Sequence, residues 1–491
     1  MTIIKDNIFR QYDIRGVVGK DLDAGIAFQI GKAFSAYLKN LNPSAKSVSV
    51  GRDVRLSSDE LAEAVINGII SSGLDVWDIG ICPTPLQYFS IFHLELDGGI
   101  MVTGSHNPPE YNGLKLSAGK DTMYGAAIQE IKEIIRKDSG EGGGKGTERD
   151  KSKGKEEGAG IGRVRRYEII PAYTQYMLDE FRQLKDDNQK LKRLKVVVDA
   201  GNGTAGMVIP ALLEGIGCEV FPLYCEPDGR FPHHHPDPTV VECIRDLVTA
   251  TTETGADFGV GYDGDADRIG VVDREGNVIW GDQLMIILSR DILGRHPGAK
   301  IIGDVKCSQA MFDDIKAHGG EPIMWKTGHS LIKKKMRDEK ALLAGEFSGH
   351  IFIAERYFGY DDAIYTTLRL VEILIRSGKD IKGLLTNVPR MYYTPEIRMD
   401  CPDDLKGKVV GGVIKKFMDL RISSRSPYLI KDVNTIDGVR VLFEKGWGLV
   451  RVSNTQPVIV MRFEATDKES LDIYRQFFEK MIHTVKSESK D

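Results

Sequence analysis

Residues 259–273 read GVGYDGDADRIGVVD: an apolar run, then aspartates at alternate positions, Asp263, Asp265 and Asp267, then Arg268, then a second apolar run from Ile269 to Val272. Short apolar runs on either side of a small, polar turn predict two buried strands with the acidic loop between them. Carboxylates this close repel one another by several kcal/mol at intermediate dielectric, so a positive partner is expected among them. An EF-hand also begins D-x-D-x-D, but it needs Gly at the sixth position and Glu at the twelfth; Arg268 and Arg274 stand there instead. The spacers Gly264 and Ala266 let the backbone turn tightly, so that the three carboxylates converge on one hard cation, most simply Mg²⁺. Arg268 adds a fixed positive charge suited to a phosphate.

On either side of this loop, short apolar runs alternate with helix-like segments. Upstream lie LKVVVDA, CEVFPLY and, nearer the N-terminus, SVSVG, LDVWDIG and GGIMVTG, with a helical pattern from Asp59 to Ile70. Downstream come KIIGDV, EPIMW and ALLAGE. This is the rhythm of α/β domains. After about Pro389 it gives way to long alternating runs (YTPEIRM, GVRVLFEKGWGLVRVS, VIVMRFEA) and an amphipathic segment from Lys468 to Val485, the pattern of an antiparallel α+β module. The expected division is three α/β domains, 1–166, 167–275 and 276–388, and a smaller α+β domain, 389–491. Residues 137–162, rich in Gly, Lys and Glu, are too polar to pack and read as a flexible surface loop without assigned function.

With 491 residues, 41% hydrophobic and 28% charged, the chain has ample core material. A net charge of −5 argues against nucleic acid as the main partner. The six cysteines form no C-x-x-C pair, which fits a reducing, cytoplasmic setting better than a disulfide framework. No signal-peptide core or membrane-spanning run is present in the sequence.

Other stretches carry candidate chemistry. MVTGSHNPPEYNGLKL, from Met101 to Leu116, places Ser105 in a sharp turn at the carboxyl end of a strand, where ligands gather in α/β sheets. In GEFSGHIFIAERYFGYDD, Glu346, Ser348 and His350 alternate beside a strand and offer groups suited to sugar hydroxyls. In LVRVSNTQPVIV, Arg451, Ser453, Asn454 and Thr455 precede Pro457 and make a phosphate cradle. KTGHSLIKKKM, from Lys326 to Met336, places His329 near a helix start. The consecutive His233, His234 and His235 cannot converge on one ion in regular structure and are expected on an exposed loop. Gly201-Asn-Gly203-Thr-Ala-Gly206 fits G-x-G-x-x-G, with Glu226 and Asp228 about twenty residues on, and supports a rival, an NAD-dependent dehydrogenase. Asp199, just before that turn, is unwelcome beside a pyrophosphate. No Walker A motif occurs.

Together, and in this order from FRQYDIRG to RVSNTQP, these stretches resemble the α-D-phosphohexomutase family, most closely its bacterial phosphomannomutase/phosphoglucomutase branch. The resemblance implies three related mixed-sheet α/β domains and a smaller C-terminal α+β domain around a central active-site cleft. It implies that Ser105 carries a phosphoryl group and that Asp263, Asp265 and Asp267 bind Mg²⁺, with a serine-phosphate oxygen as a further ligand. It implies that Glu346 and Ser348 hold sugar hydroxyls, with His350 in the same loop, and that Arg451, Ser453, Asn454 and Thr455 hold the phosphate that is not reacting. Tyr12, Arg15, Lys306 and His329 match further cleft positions, and His106 and Lys115 match residues near the serine. The implied reaction interconverts hexose 1-phosphates and 6-phosphates of mannose or glucose through a hexose 1,6-bisphosphate, in a monomer or small homo-oligomer. Phe347 replaces the Met usual in this loop, and His233 stands where Asn is common. A phosphoglucosamine mutase and a non-catalytic sugar-phosphate sensor are the further alternatives.

Overall fold

The computed structural model describes residues 4–138, 160–185, 193–423, 426–453 and 457–488. Most of the 137–162 segment, together with Asn454 and Thr455, lies outside the described residues. The chain forms two compact units, one of residues 1–280, 348–353 and 360–381, the other of residues 281–347, 354–359 and 382–491.

The first unit holds two sheets. In one, Ser47–Arg52, Gly98–Val102, Asp75–Ile81 and Val164–Arg166 run parallel; Tyr111–Ala118 pairs antiparallel with Gly98–Val102, and Ile14–Val17 pairs antiparallel with Tyr111–Ala118 at the edge. Val48, Val50, Ile100, Val102, Leu114 and Leu116 are buried, and helices Ala24–Leu41, Ser58–Ser71 and Ala126–Asp138 contribute to the same core. The helix Ala24–Leu41 starts where Asp23 accepts the Ile26 N–H at 2.8 Å, an ordinary N-cap.

The second sheet orders its strands Glu219–Leu223, Lys195–Asp199, Phe258–Tyr262, Ile269–Asp273 and Val278–Ile279. The first three are parallel. Phe258–Tyr262 and Ile269–Asp273 are antiparallel neighbours, so the aspartate loop is the tip of a hairpin with both strands wholly buried.

In the second unit Glu321–Trp325, Lys300–Asp304 and Leu343–Gly345 form parallel strands beside helices Gly281–Arg295, Gln309–Ala317 and His329–Glu339. An antiparallel sheet of Ile430–Asn434, Val439–Phe443, Gly446–Val452 and Val458–Ala465 is covered by helices Asp403–Ser423 and Lys468–Glu488. The first of these helices was not marked by the sequence pattern. These two parts are locked by Arg440, which donates to the carbonyls of Val305 and Cys307 at 2.8 Å while lying 3.9 Å from the Trp447 ring centroid. No helix among the described residues is long and apolar enough to cross a membrane, and none of the six cysteines forms a disulfide.

Candidate active site

The hairpin tip and the Ser105 turn meet within the first unit. Ser105 follows the strand Gly98–Val102 and adopts φ +49°, a left-handed conformation uncommon for a residue with a Cβ. Its hydroxyl donates to Asp263 Oδ2 at 2.9 Å, and His106 Nδ1 lies 3.1 Å from the serine Oγ. The hydroxyl has one hydrogen. With that hydrogen given to Asp263, the imidazole is the donor in the second contact. Burial first, then Arg268 and Arg15, push the His106 pKa well below its usual value, so the ring is neutral.

Asp263, Asp265 and Asp267 have no exposed surface. Asp263 Oδ1 accepts the N–H groups of Asp267 and Arg268 at 3.1 Å, which curls the loop around its own first carboxylate. Burial, followed by the neighbouring Asp267 and Asp265, raises the Asp263 pKa well above the carboxylate range. Lys115, 3% exposed, donates to Asp265 Oδ2 at 2.6 Å and to Asp267 Oδ2. Burial opposes its charge, but those two carboxylates outweigh burial and raise its pKa. Thr84, at the first turn of the helix Thr84–His93, gives its hydroxyl to Asp265 Oδ2 at 2.5 Å and its N–H to the Asp265 carbonyl at 2.8 Å.

These donors leave a consistent remainder. Asp265 Oδ1 and Asp267 Oδ1 are buried and accept no hydrogen bond from the described residues. Two orphaned carboxylate oxygens, with Asp263 Oδ2 and the serine oxygen close by, make a hard, all-oxygen donor set. Such a set fits a divalent cation of the Mg²⁺ type, whose charge would offset the mutual repulsion of the carboxylates.

A second acidic group, Asp267, His350 and Asp361, also lies close together. Its chemistry differs. Arg268 Nε donates to His350 Nε2 at 2.9 Å, which places the ring proton on Nδ1, 3.1 Å from Asp361 Oδ2 and 3.5 Å from Asp267 Oδ1. A protonated nitrogen is not a metal ligand, so this group holds Arg268 in place. Arg15 stands near the turn as well: Nη1 donates to Asn107 Oδ1 at 2.6 Å, Nη2 pairs with Asp13, and its buried Nε–H has no hydrogen-bond acceptor among the described residues. Tyr12 lies half-buried just before the strand Ile14–Val17.

The glycine-rich turn 201–206 packs against the same loop. A Cβ on Gly203 would lie 2.7 Å from the Gly264 carbonyl oxygen, and Thr204 N–H donates to that oxygen at 3.0 Å. Asp199 accepts the Gly201 N–H at 2.9 Å. The glycines serve close backbone approach, with a carboxylate filling the place where a pyrophosphate would bind.

The histidine run corrects one expectation. His233 is exposed, but His234 and His235 are half-buried, because His234 Nε2 pairs with Asp199 at 3.1 Å and the adjoining Pro236 packs near Gly264. His233 accounts for its own departure from Asn by stacking on Tyr224 at 4.0 Å and pairing with Asn202 Oδ1 at 2.8 Å.

In the second unit other candidates share one polar network. Lys306 pairs with Glu396 at 3.0 Å and lies 3.9 Å from Asp304. Thr327 gives its hydroxyl to Asp304 at 2.9 Å and its N–H to Asp437 at 3.2 Å, and Arg451 Nε donates to Asp437 at 3.0 Å. Glu346 accepts the Gly328 N–H at 3.0 Å, next to His329 at the start of its helix. Ser453 is buried and pairs its N–H with the Val458 carbonyl, while Ser348, half-buried, belongs to the first unit. Asp304, Thr327, Asp437, Asp53, Arg55 and Thr84 were missed in the sequence. Asp53 and Asp304 carried a usable signal, since each stands at the carboxyl end of a parallel strand.

Comparison with known proteins identifies the family. Family models for phosphoglucomutase/phosphomannomutase match residues 6–141 (alpha/beta/alpha domain I), 171–276 (domain II), 280–392 (domain III) and 396–481 (C-terminal domain). A phosphomannomutase/phosphoglucomutase of Pseudomonas aeruginosa is 43% identical over 98% of this chain and 96% of its own length. A phosphoglucomutase of Neisseria gonorrhoeae is 40% identical over 99% and 98%. The crystal structure of a phosphoglucomutase/phosphomannomutase family protein from Burkholderia thailandensis superposes with a TM-score of 0.85 at 38% identity, covering 99% of this chain and 98% of that one. The fold and these relatives define an isomerase that moves a phosphoryl group on a sugar. The chain belongs to the phosphoglucomutase/phosphomannomutase family, the α-D-phosphohexomutases.

Proposed function

We propose that this enzyme interconverts the 1- and 6-phosphates of mannose and glucose through a phosphoserine at Ser105 and a hexose 1,6-bisphosphate that turns over between two half-reactions. Hexose phosphate mutase activity follows from family membership. The observation that carries the serine's part is the 2.9 Å contact between its hydroxyl and Asp263, in a pocket of buried carboxylates with two unsatisfied oxygens.

Asp263, Asp265 and Asp267 would hold Mg²⁺, which supplies positive charge against the phosphoryl oxygens and makes the serine oxygen a better leaving group. The chain's own residues do the rest. His106, neutral and 3.1 Å from the serine oxygen, holds or passes the proton at that oxygen. Lys115 sets a positive charge against Asp265 and Asp267 and orients their free oxygens. Arg268, held by His350, and Arg15, with a buried N–H to spare, balance the anionic sugar phosphate. Tyr12, Lys306, His329, Glu346 and Ser348 are assigned to the sugar, and Arg451, Ser453, Asn454 and Thr455 to the non-reacting phosphate. Because each end of the bisphosphate carries a phosphate, one cradle can serve both orientations.

Turnover of glucose 1-phosphate and mannose 1-phosphate with catalytic glucose 1,6-bisphosphate tests this. Ser105→Ala is expected to lose turnover by a factor of at least about a thousand while keeping its unfolding transition. Substantial activity in that variant would contradict the phosphoserine.

A further inference from the structure

The tripeptide Asp53-Val54-Arg55 holds the Ser105 turn from both sides without touching the serine hydroxyl. Strand register explains how. Ser47–Arg52 and Gly98–Val102 run parallel with Arg52 opposite Val102, so Asp53 and Thr103 leave the sheet side by side, and Asp53 N–H donates to the Val102 carbonyl at 2.9 Å. Asp53 Oδ2 accepts the Thr103 hydroxyl at 2.8 Å and the Gly104 N–H at 3.1 Å. Thr103 Oγ1 in turn accepts the Ser105 N–H at 2.9 Å.

Arg55 takes the other side. Nη2 donates to the carbonyls of Ser105 at 2.8 Å and Asn107 at 2.5 Å, Nη1 to those of Pro108 at 2.6 Å and Tyr111 at 3.0 Å, and Nε to Asp53 Oδ2 at 3.1 Å. Every N–H of the guanidinium is thereby spent inside the protein. Its side chain is 0% exposed, and the Phe231 ring lies over it with its centroid 5.1 Å away. Gly104 leaves the room it needs, since a Cβ there would sit 2.5 Å from Arg55 Cζ.

A guanidinium with no N–H left over does not bind a phosphate; it acts on the turn. Ser105 keeps its left-handed φ because its N–H and its C=O are each held, one through Thr103 and Asp53, the other by Arg55. The same serine oxygen must act as leaving group in one half-reaction and as nucleophile in the other, and a displacement of about 1 Å costs on the order of a hundredfold in rate. We infer that Asp53 and Arg55 are positioning residues for phosphoryl transfer, fixing the Ser105 backbone so that its oxygen meets the aspartate loop in both half-reactions. This rests on Ser105 being the phosphoryl carrier.

Two variants test it. Arg55→Lys keeps the charge and loses the fork; Thr103→Val cuts the link from Asp53 to the Ser105 N–H without stranding a buried charge. With glucose 1-phosphate, kcat is expected to fall roughly a hundredfold in the first and roughly tenfold in the second, with KM within about threefold of wild type in both. A phosphate-binding role would raise KM, and a purely structural one would leave kcat per folded enzyme unchanged; either result overturns the inference. If Arg55→Lys does not fold, Thr103→Val decides alone, and a kcat within about twofold of wild type refutes the clamp. Phosphoserine content of the wild type, measured by mass spectrometry after exposure to glucose 1,6-bisphosphate, separates the two failures. A wild type without phosphate at Ser105 overturns the carrier role and this inference with it. A phosphorylated wild type beside variants of undiminished kcat overturns the clamp alone.

Discussion

Lys115 is the single buried cation that pairs directly with Asp265 and Asp267 among the described residues, and this makes its removal informative. Breaking a buried ion pair from one side costs about 3–5 kcal/mol, because the partner charges stay behind. Lys115→Met is therefore expected to lower the unfolding free energy by roughly 3 kcal/mol in the presence of a chelator, and by clearly less with Mg²⁺ added, since a cation among the aspartates replaces the lost charge. Urea titrations under the two conditions check this. Equal losses would mean that no cation binds there. Ser105 and the aspartates were legible in the sequence because each pattern is local, a turn or an alternation within a few residues. Thr84 was not, since its partner Asp265 lies 181 positions away, and no spacing rule reaches that far. His234 and His235 were misread for the same reason: what draws them inward is Asp199, which only the folded sheet brings near.

At the scale of elements, the strands flanking the aspartates were readable as apolar runs, and their antiparallel pairing explains why the carboxylates crowd: a hairpin tip has no room to spread them. The glycine-rich turn after Lys195–Asp199 looked like a nucleotide fingerprint because its sequence requirement, small residues for close approach, is shared by two different purposes. Here the approaching backbone is Gly264. Gly203→Ala is expected to destabilise the protein by about 1–3 kcal/mol and to impair Mg²⁺ binding, because the added methyl would push the aspartate loop outward. Calorimetric unfolding and a metal titration check both effects, and a variant indistinguishable from wild type in each would remove the packing account. The helix Asp403–Ser423 escaped the sequence pattern because its apolar positions are interrupted by Gly407, Gly411 and Gly412 and by Lys406, Lys408, Lys415 and Lys416.

For the molecule as a whole, the second unit carries its own electrostatic signature. Lys306 and Glu396 come from segments matched by two different domain models and pair at 3.0 Å. Lys306 beside it overcomes partial burial and holds the Glu396 carboxyl at about 2, against an ordinary 4.5. A depressed carboxyl pKa contributes stability that is present above the ordinary value and lost as the pH falls from 4.5 toward about 2. Glu396 is 26% exposed, and after solvent screening the contribution is on the order of 2 kcal/mol. Glu396→Gln is expected to be less stable at neutral pH and to show a correspondingly flatter loss of unfolding free energy across that acid window. An unchanged acid slope in urea titrations would show that the pair contributes nothing. The order of motifs along the chain made the family legible; the coupling of distant residues into these networks was not, because it exists only after folding. Phosphoryl transfer through Ser105 is measured directly by the site and stoichiometry of label after brief incubation with radiolabelled glucose 1,6-bisphosphate. The expected result is label on the peptide containing Ser105, approaching one group per chain and chased off by glucose 1-phosphate; label elsewhere, or none that chases, would contradict it.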